Sequence, residues 1–127
     1  MAILTLTALE RGFLAAARRA ILATTSPEGL PRLVPVCFVL SEKADRQGRP
    51  VVYSPIDEKS KRTNDPHDLA RVRDLLVLPE TTILVDRWDE DWSRLAWLRA
   101  YGTGELIEPQ AHETEEHAAA VAALRAK

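Results

Sequence analysis

Three cations stand between an apolar run and a helix start in this 127-residue chain. The run Val51, Val52, Tyr53 leads through "SPIDEKSKRTNDP" into Lys59, Lys61 and Arg62, and then into Asn64, Asp65 and Pro66. Backbone N–H groups at a helix N-terminus have no partner within the helix and favour an anion. Arginine can grip a phosphate with two parallel hydrogen bonds, and lysine adds a mobile point charge. The chemistry on offer is therefore anion binding. A loop kept soluble by its charges is the other reading of the same residues.

Aromatic side chains form the second concentration. Trp88, Trp92 and Trp97 fall within ten positions, among Asp86, Arg87, Asp89, Glu90, Asp91 and Arg94. Large amphipathic rings grouped in this way cover a subunit interface or a flat ligand, or fill a barrel. Asp86, Asp89 and Asp91 lack the ligand spacing of a calcium loop. Cys37 sits in an apolar strand, where a buried thiol is inert. His67 belongs to the first turn of a helix and is expected to face solvent. His112 and His117, five positions apart, diverge on a helix and make a poor zinc pair. Without a serine–histidine or paired-carboxylate arrangement, any reaction would have to be carried by a cofactor.

Composition bounds the setting for this chemistry. The chain has one domain's length, 46% hydrophobic and 28% charged residues, and a net charge of -2. No global positive field would attract nucleic acid or an acidic membrane. A single cysteine allows no internal disulfide and suits a reducing cytoplasm. No apolar run approaches the roughly 20 residues of a membrane span.

The positioning elements can be read in order. Thr7 and Glu10 form a capping box, and Leu9, Phe13, Ala16 and Ala17 recur at helical spacing, which predicts a helix to about Arg19. Ser26-Pro-Glu-Gly29 reads as a tight turn between two strands. The second of these, Arg32 to Leu40, carries apolar residues on both faces and is expected to be buried on both. Pro35 lacks an N–H, so this strand needs an edge, a bulge or a ligand there. Val51 to Ile56 is a third strand. Asn64 or Asp65 caps a helix with Pro66 in its first turn and Leu69, Val72, Leu75 and Leu76 as its buried stripe. Thr81 to Trp88 is strand four, and Leu95 to about Ile107 is strand five, bent near Gly102 and Gly104. Ala111 to Lys127 closes the chain as an amphipathic helix. The pattern predicts a mainly β domain with flanking helices, a small antiparallel barrel.

The segments "ARRAILATTSPEGLPRLVPVCFVL", "VVYSPIDEKSKRT" and "VDRWDEDWSRLAWLRAYGTGEL" together resemble the pyridoxamine 5'-phosphate oxidase-like, or FMN-binding, split-barrel proteins. The likeness runs from about Arg18 to Glu108, and "DEDWS" followed by a tryptophan-bearing strand brings it nearest the deazaflavin (coenzyme F420) branch. The resemblance implies a six-stranded split antiparallel β-barrel over residues 1–127, working as a homodimer with F420 or FMN at the interface. It assigns the phosphate to Lys59, Lys61 and Arg62, with Thr63 as a hydroxyl donor. The ring system would lie against Val34, Pro35, Val36, Tyr53, Ser54, Pro55 and Ile56, with Trp92 and Trp97 as an aromatic wall from the partner. Two departures stand out. The family's terminal strand is not expected in a sequence that stops at "AALRAK", and Tyr101 stands where close relatives tend to carry an acidic residue.

The function implied is hydride transfer between F420 or FMN and a small organic substrate. The alternative is a non-catalytic carrier of a flavin, deazaflavin or tetrapyrrole. Nucleic-acid binding would rest on the basic loop alone, and the acidic pI of about 5.9 argues against it.

Overall fold

A computed structural model describes residues 5–56, 66–108 and 114–127. Its elements run α1 (Ala8–Ala16), β1 (Arg19–Thr25), β2 (Pro31–Cys37), β3 (Val39–Leu40), β4 (Val52–Tyr53), α2 (Ala70–Val77), β5 (Glu80–Arg87), β6 (Ala96–Thr103) and α3 (Thr114–Ala126). The chain is mainly β with flanking helices, as its alternation and turns predict. It divides into two compact units. One comprises Met1–Arg19, Cys37–Pro55 and Ile107–Lys127, and the other Ala20–Val36 and Ile56–Leu106.

The second unit is built on a four-stranded sheet in the order β2-β1-β5-β6. Ser26 makes the turn between the first two strands. Its N–H donates to the Leu30 carbonyl at 2.9 Å, its hydroxyl accepts from the Leu30 N–H at 3.1 Å, and Gly29 takes φ 83°. That positive φ is where glycine is the residue of choice. β1 and β5 are antiparallel with Ile21 opposite Leu84, and β5 and β6 are antiparallel along their whole length. The strand carrying Pro35 lies at the sheet's edge, which meets the requirement set by its missing N–H.

One face of this sheet is covered by α2. Val72 and Asp74 are its buried residues, and Asp74 accepts from Thr24 Oγ1 at 2.8 Å and Arg32 Nε at 2.7 Å. Thr24 and Arg32 therefore share a face with Ala20 and with Val85, which is fully buried. Of the expected stripe Leu69, Val72, Leu75 and Leu76, Val72 is buried and Leu69 and Leu75 are half-buried, whereas Leu76 is 62% exposed and Asp74 is buried with them. Thr24 and Arg32 supply the donors that a buried carboxylate requires.

The first unit has α1, the two-stranded ribbon β3-β4 and α3. The capping box is present, with Thr7 N–H donating to Glu10 Oε1 at 2.8 Å and Glu10 N–H donating to Thr7 Oγ1 at 3.1 Å. Val39 pairs with Tyr53 and Leu40 with Val52. Leu14 and Phe38 are buried and Ala120 nearly so. Lys127 packs its ammonium 3.9 Å from the Phe38 ring centre and donates to the Leu14 carbonyl at 3.2 Å. Burial holds that ammonium below the usual lysine range. Tyr53 Oη donates to Glu116 Oε2 at 2.9 Å, tying the ribbon to α3; burial first, and then this bond, push the phenol up.

Several expected bounds are corrected. The strand expected over Arg32 to Leu40 breaks at Phe38, whose burial ends β2 and starts a separate ribbon. α1 stops at Ala16, so that Arg19 already lies in β1, and β6 stops at Thr103. The third strand shortens to Val52–Tyr53. β2 is not buried on both faces: Leu33 is 66% exposed, and Pro35 and Cys37 are exposed as well. An edge strand covered by a helix on one side leaves its other side open. No helix among the described residues is long and apolar enough to cross a membrane.

Candidate functional site

The sheet face opposite α2 is where chemistry-bearing side chains gather. Residues alternate across a strand, so the burial of Val85 sends its neighbours Leu84 and Asp86 to the other side. The antiparallel register places Asp86 opposite Trp97, Leu84 opposite Arg99, and Thr82 opposite Tyr101. Trp97, Arg99 and Tyr101 thus form one row along the edge strand β6, at a period of two. Trp97 and Tyr101 are 65% and 73% exposed.

Arg99 sits between the two rings. Its Cζ lies 5.3 Å from the Trp97 ring centre and 5.5 Å from that of Tyr101. Both are within the range in which a guanidinium is attracted to an aromatic quadrupole. An open hollow of about 360 Å³ is lined by Leu84, Asp86, Trp97 and Arg99. It offers an aromatic wall, an aliphatic floor, one cation and one carboxylate. Such a surface suits a flat ring bearing an anionic substituent: the rings supply area, and arginine supplies paired donors for a carboxylate or phosphate.

The loop between β5 and β6 is tied down at the same end of the sheet. Asp91 caps a short 3-10 turn, Trp92–Arg94, by accepting from Ser93 N–H at 3.0 Å and Ser93 Oγ at 2.7 Å. These bonds hold the Asp91 carboxyl below the ordinary carboxylate range. Arg87 Nε donates to the Arg94 carbonyl at 2.9 Å. Trp88 and Trp92 are 67% and 75% exposed, so none of the three tryptophans fills a core in the single chain.

A second hollow, of about 310 Å³, belongs to the other unit and is lined by Arg11, Ala15, Val39, Leu40, Ser41, Glu42 and Lys127. It has no aromatic wall.

The residues expected to form a site lie on several elements. Val34 and Val36 are half-buried on β2, with Pro35 exposed between them. Tyr53, Ser54 and Pro55 lie in the other unit, where Tyr53 is bonded to Glu116 and Ser54 Oγ donates to the Cys37 carbonyl at 2.8 Å. Ile56 is half-buried. Lys59, Lys61, Arg62 and Thr63 lie outside the described residues, as do Asn64, Asp65 and His112. Trp97 joins the aromatic row, and Trp92 stands in the adjoining turn. Cys37, expected to be buried, is exposed, because it ends an edge strand. Arg99 and Leu84 were not among the expected site residues, although the spacing Trp97-x-Arg99-x-Tyr101 was a legible signal for one shared face.

No protein-family model and no curated protein matches the chain. Solved structures do. HutZ, the heme storage protein from Vibrio cholerae, superposes with a TM-score of 0.64 at 16% identity, over 94% of this chain and 72% of HutZ. The conserved hypothetical protein Rv2991 from Mycobacterium tuberculosis gives 0.55 at 17% identity, over 84% of this chain and 56% of that one. A heme-binding protein from Mycobacterium smegmatis gives 0.52 at 24% identity, over 95% of this chain and 43% of that one. This chain thus spans only about half the length of the two mycobacterial proteins. All three have the pyridoxamine 5'-phosphate oxidase-like split-barrel fold. The antiparallel sheet with flanking helices is the part of that fold described above, and nothing in these likenesses singles out the deazaflavin branch. The expectation of F420 or FMN is corrected by the same finding, since the ligand named for two of these structures is heme. The physical reason is that the quoted segments encode turns and strand alternation. Those build the scaffold, whereas the ligand is chosen by side chains placed upon it.

Proposed function

We propose that this chain is a carrier for a flat, anionic macrocycle of the tetrapyrrole class, heme foremost, and that it acts by binding rather than by catalysis. The observation that carries the reading is Arg99 held between Trp97 and Tyr101 on an exposed sheet face. A macrocycle with carboxylate side groups matches that row in both shape and charge. HutZ and the Mycobacterium smegmatis protein support it by what they are named for, storage and binding of heme.

Heme is here the cargo, and the chain's residues have separate tasks toward it. Trp97 and Leu84 offer apolar area, and removing that area from water supplies most of the affinity. Arg99 supplies donors to a carboxylate. Asp86 stands across from Trp97 as a like-charged boundary that orients the acidic edge toward Arg99. A split antiparallel barrel, and a second copy of the chain covering what the ligand leaves open, complete the proposal. Leu33 and Pro35 on β2 are the apolar surface such a copy would take.

Titration of the chain with ferric heme, read by quenching of tryptophan fluorescence and by the growth of a shifted Soret band, tests this directly. A saturable change with a fixed stoichiometry is expected, and it should weaken when Trp97 is replaced by Ala. Linear, non-saturating quenching, or a curve indifferent to Trp97→Ala, would overturn the assignment.

A further inference from the structure

The smaller hollow lies in the other compact unit and owes nothing to the macrocycle reading. We infer that it binds a small organic anion with a short aliphatic chain, a monocarboxylate of the alkanoate kind, held by Lys127 and Arg11. Three elements meet there. Arg11 and Ala15 are four residues apart on α1 and so share one face of it. Val39 and Leu40 make up β3, and Lys127 follows the end of α3. Ala15, Val39 and Leu40 give the hollow an aliphatic wall. Its volume of about 310 Å³ is at the small end of the range for ligand sites.

The decisive group is Lys127. Its ammonium is fixed by two uncharged contacts, the Leu14 carbonyl at 3.2 Å and the Phe38 ring at 3.9 Å. No acidic side chain among the described residues pairs with it. Lys127 is half-buried, and burial, followed by repulsion from Arg18, works against its charge. Folded proteins pair the charges they cover, and this one lacks its counter-charge. An ammonium has three N–H donors, of which the Leu14 carbonyl takes one.

The rest of the lining agrees with an anion. Arg11 adds a guanidinium, whose fork matches a carboxylate. Glu42 is the one acidic residue in the lining, and it is exposed, where water screens it. Two cations against one acid make the hollow positive on a chain whose net charge is -2. The charges select an anion, and the aliphatic wall selects one with a hydrocarbon part. A bare inorganic anion would leave that wall in water.

Octanoate, octylamine and inorganic phosphate, titrated separately into the ¹⁵N-labelled chain and followed by amide NMR shifts, test the assignment. Octanoate should move the amides of Arg11, Ala15 and Val39 to Glu42 saturably. Octylamine has the same chain with the opposite charge and should not. Phosphate has no chain and should bind about tenfold or more weakly, since each buried methylene adds to affinity. Lys127→Met keeps an apolar stem over Phe38 and removes the charge, and Arg11→Gln alters an exposed side chain. Each should weaken octanoate about tenfold, on the scale of one charge-assisted bond. Glu42→Gln should tighten it about twofold, the scale of one screened surface charge. Should Lys127→Met fail to fold, Arg11→Gln and Glu42→Gln decide by the same signs. Equal binding of octanoate and octylamine, no saturable shift at these amides, or an octanoate affinity indifferent to the charge variants would overturn the assignment.

Discussion

Arg32 Nε and Asp74 Oδ2 lie 2.7 Å apart, and the Thr24 hydroxyl donates to the same carboxylate oxygen at 2.8 Å. The contact joins edge strand β2, its neighbour β1 and helix α2 at one point. The two partners are unequally covered: the Asp74 side chain is 2% exposed and that of Arg32 44%. A buried carboxylate with two donors is satisfied, whereas one with its partners removed is costly. The pair thus sets how α2 seats on the sheet, and it leaves the opposite face free for other work.

Acid should release this anchor. The hydrogen bond from Arg32 holds the Asp74 carboxyl below its ordinary range, with the bond from Thr24 adding to it and burial opposing both. A carboxyl depressed in the folded state contributes stability that is complete above the unfolded-state value, about 3.9, and is lost as pH falls through the folded-state value. The melting temperature should therefore drop on acidification below about pH 4. Asp74→Asn should melt lower than the unaltered chain at neutral pH, yet change less between neutral and acid. Asp45 and Asp91, also held low by local bonds but at the surface, contribute little to this difference because solvent screens them. Equal melting of Asp74→Asn and the unaltered chain at pH 7 would remove the anchor from the account.

Gly104 marks the end of β6 for a steric reason. Its N–H donates to the Pro79 carbonyl at 2.8 Å, and a Cβ added to it would meet both Leu75 methyls at 3.0 Å. Gly104→Ala should lower stability by about 1 kcal/mol, the lower range for overpacking, because half-buried Leu75 can yield in part. Adding Leu75→Ala to Gly104→Ala should bring less than the sum of the two single losses. Thermal denaturation of the three variants is the measurement, and strict additivity would exclude the contact.

How much of this was legible from residues depended on the scale of the signal. The capping box of Thr7 and Glu10, the turn at Ser26–Gly29, the edge, bulge or ligand that Pro35 requires and the strand over Thr81 to Trp88 are local signals, and the structure answers them with the box, the turn, an edge strand and β5. The break at Phe38 was not legible, because nothing local in "LVPVCFVL" says where one sheet hands over to another. Likewise the apolar row Leu33, Pro35 and Cys37 reads as buried on composition, and only the sheet order reveals that α2 covers the other side. Asp74 illustrates the same limit. A polar residue in a helix becomes a buried one when Thr24 and Arg32, distant in sequence, supply its donors. At the site, Trp97 was legible by type. Arg99 was hidden by being one charge among many until its strand placed it between two rings.

The open face carries a consequence for assembly. Leu33 at 66% exposure, with Pro35 beside it, is apolar surface that a monomer would leave in water. Sedimentation velocity at micromolar concentration should show a species of twice the 14.2 kDa chain mass. Leu33→Glu should return it to a monomer with unchanged circular dichroism, since the position is outside the packed face. A monomeric unaltered chain, or a dimer indifferent to Leu33→Glu, would move the interface elsewhere.

Arg99 should reveal itself through salt. If it pairs with an acidic edge of the bound macrocycle, the pair is exposed and screened, and the Debye length shrinks from about 30 Å at 0.01 M to about 8 Å at 0.15 M ionic strength. Heme affinity of the unaltered chain should fall over that range. Arg99→Ala should bind about tenfold more weakly at low salt, on the scale of a lost charge-assisted bond, and its affinity should hardly respond to added salt. Arg99→Lys separates charge from geometry. It restores the cation but neither the planar fork nor the stack on Trp97 and Tyr101, so it should recover the salt dependence while leaving much of the affinity loss. The same titrations with a porphyrin whose carboxylates are esterified should erase the difference between Arg99 and Ala. A salt response that persists in Arg99→Ala would place the anion on another cation and detach Arg99 from the ligand.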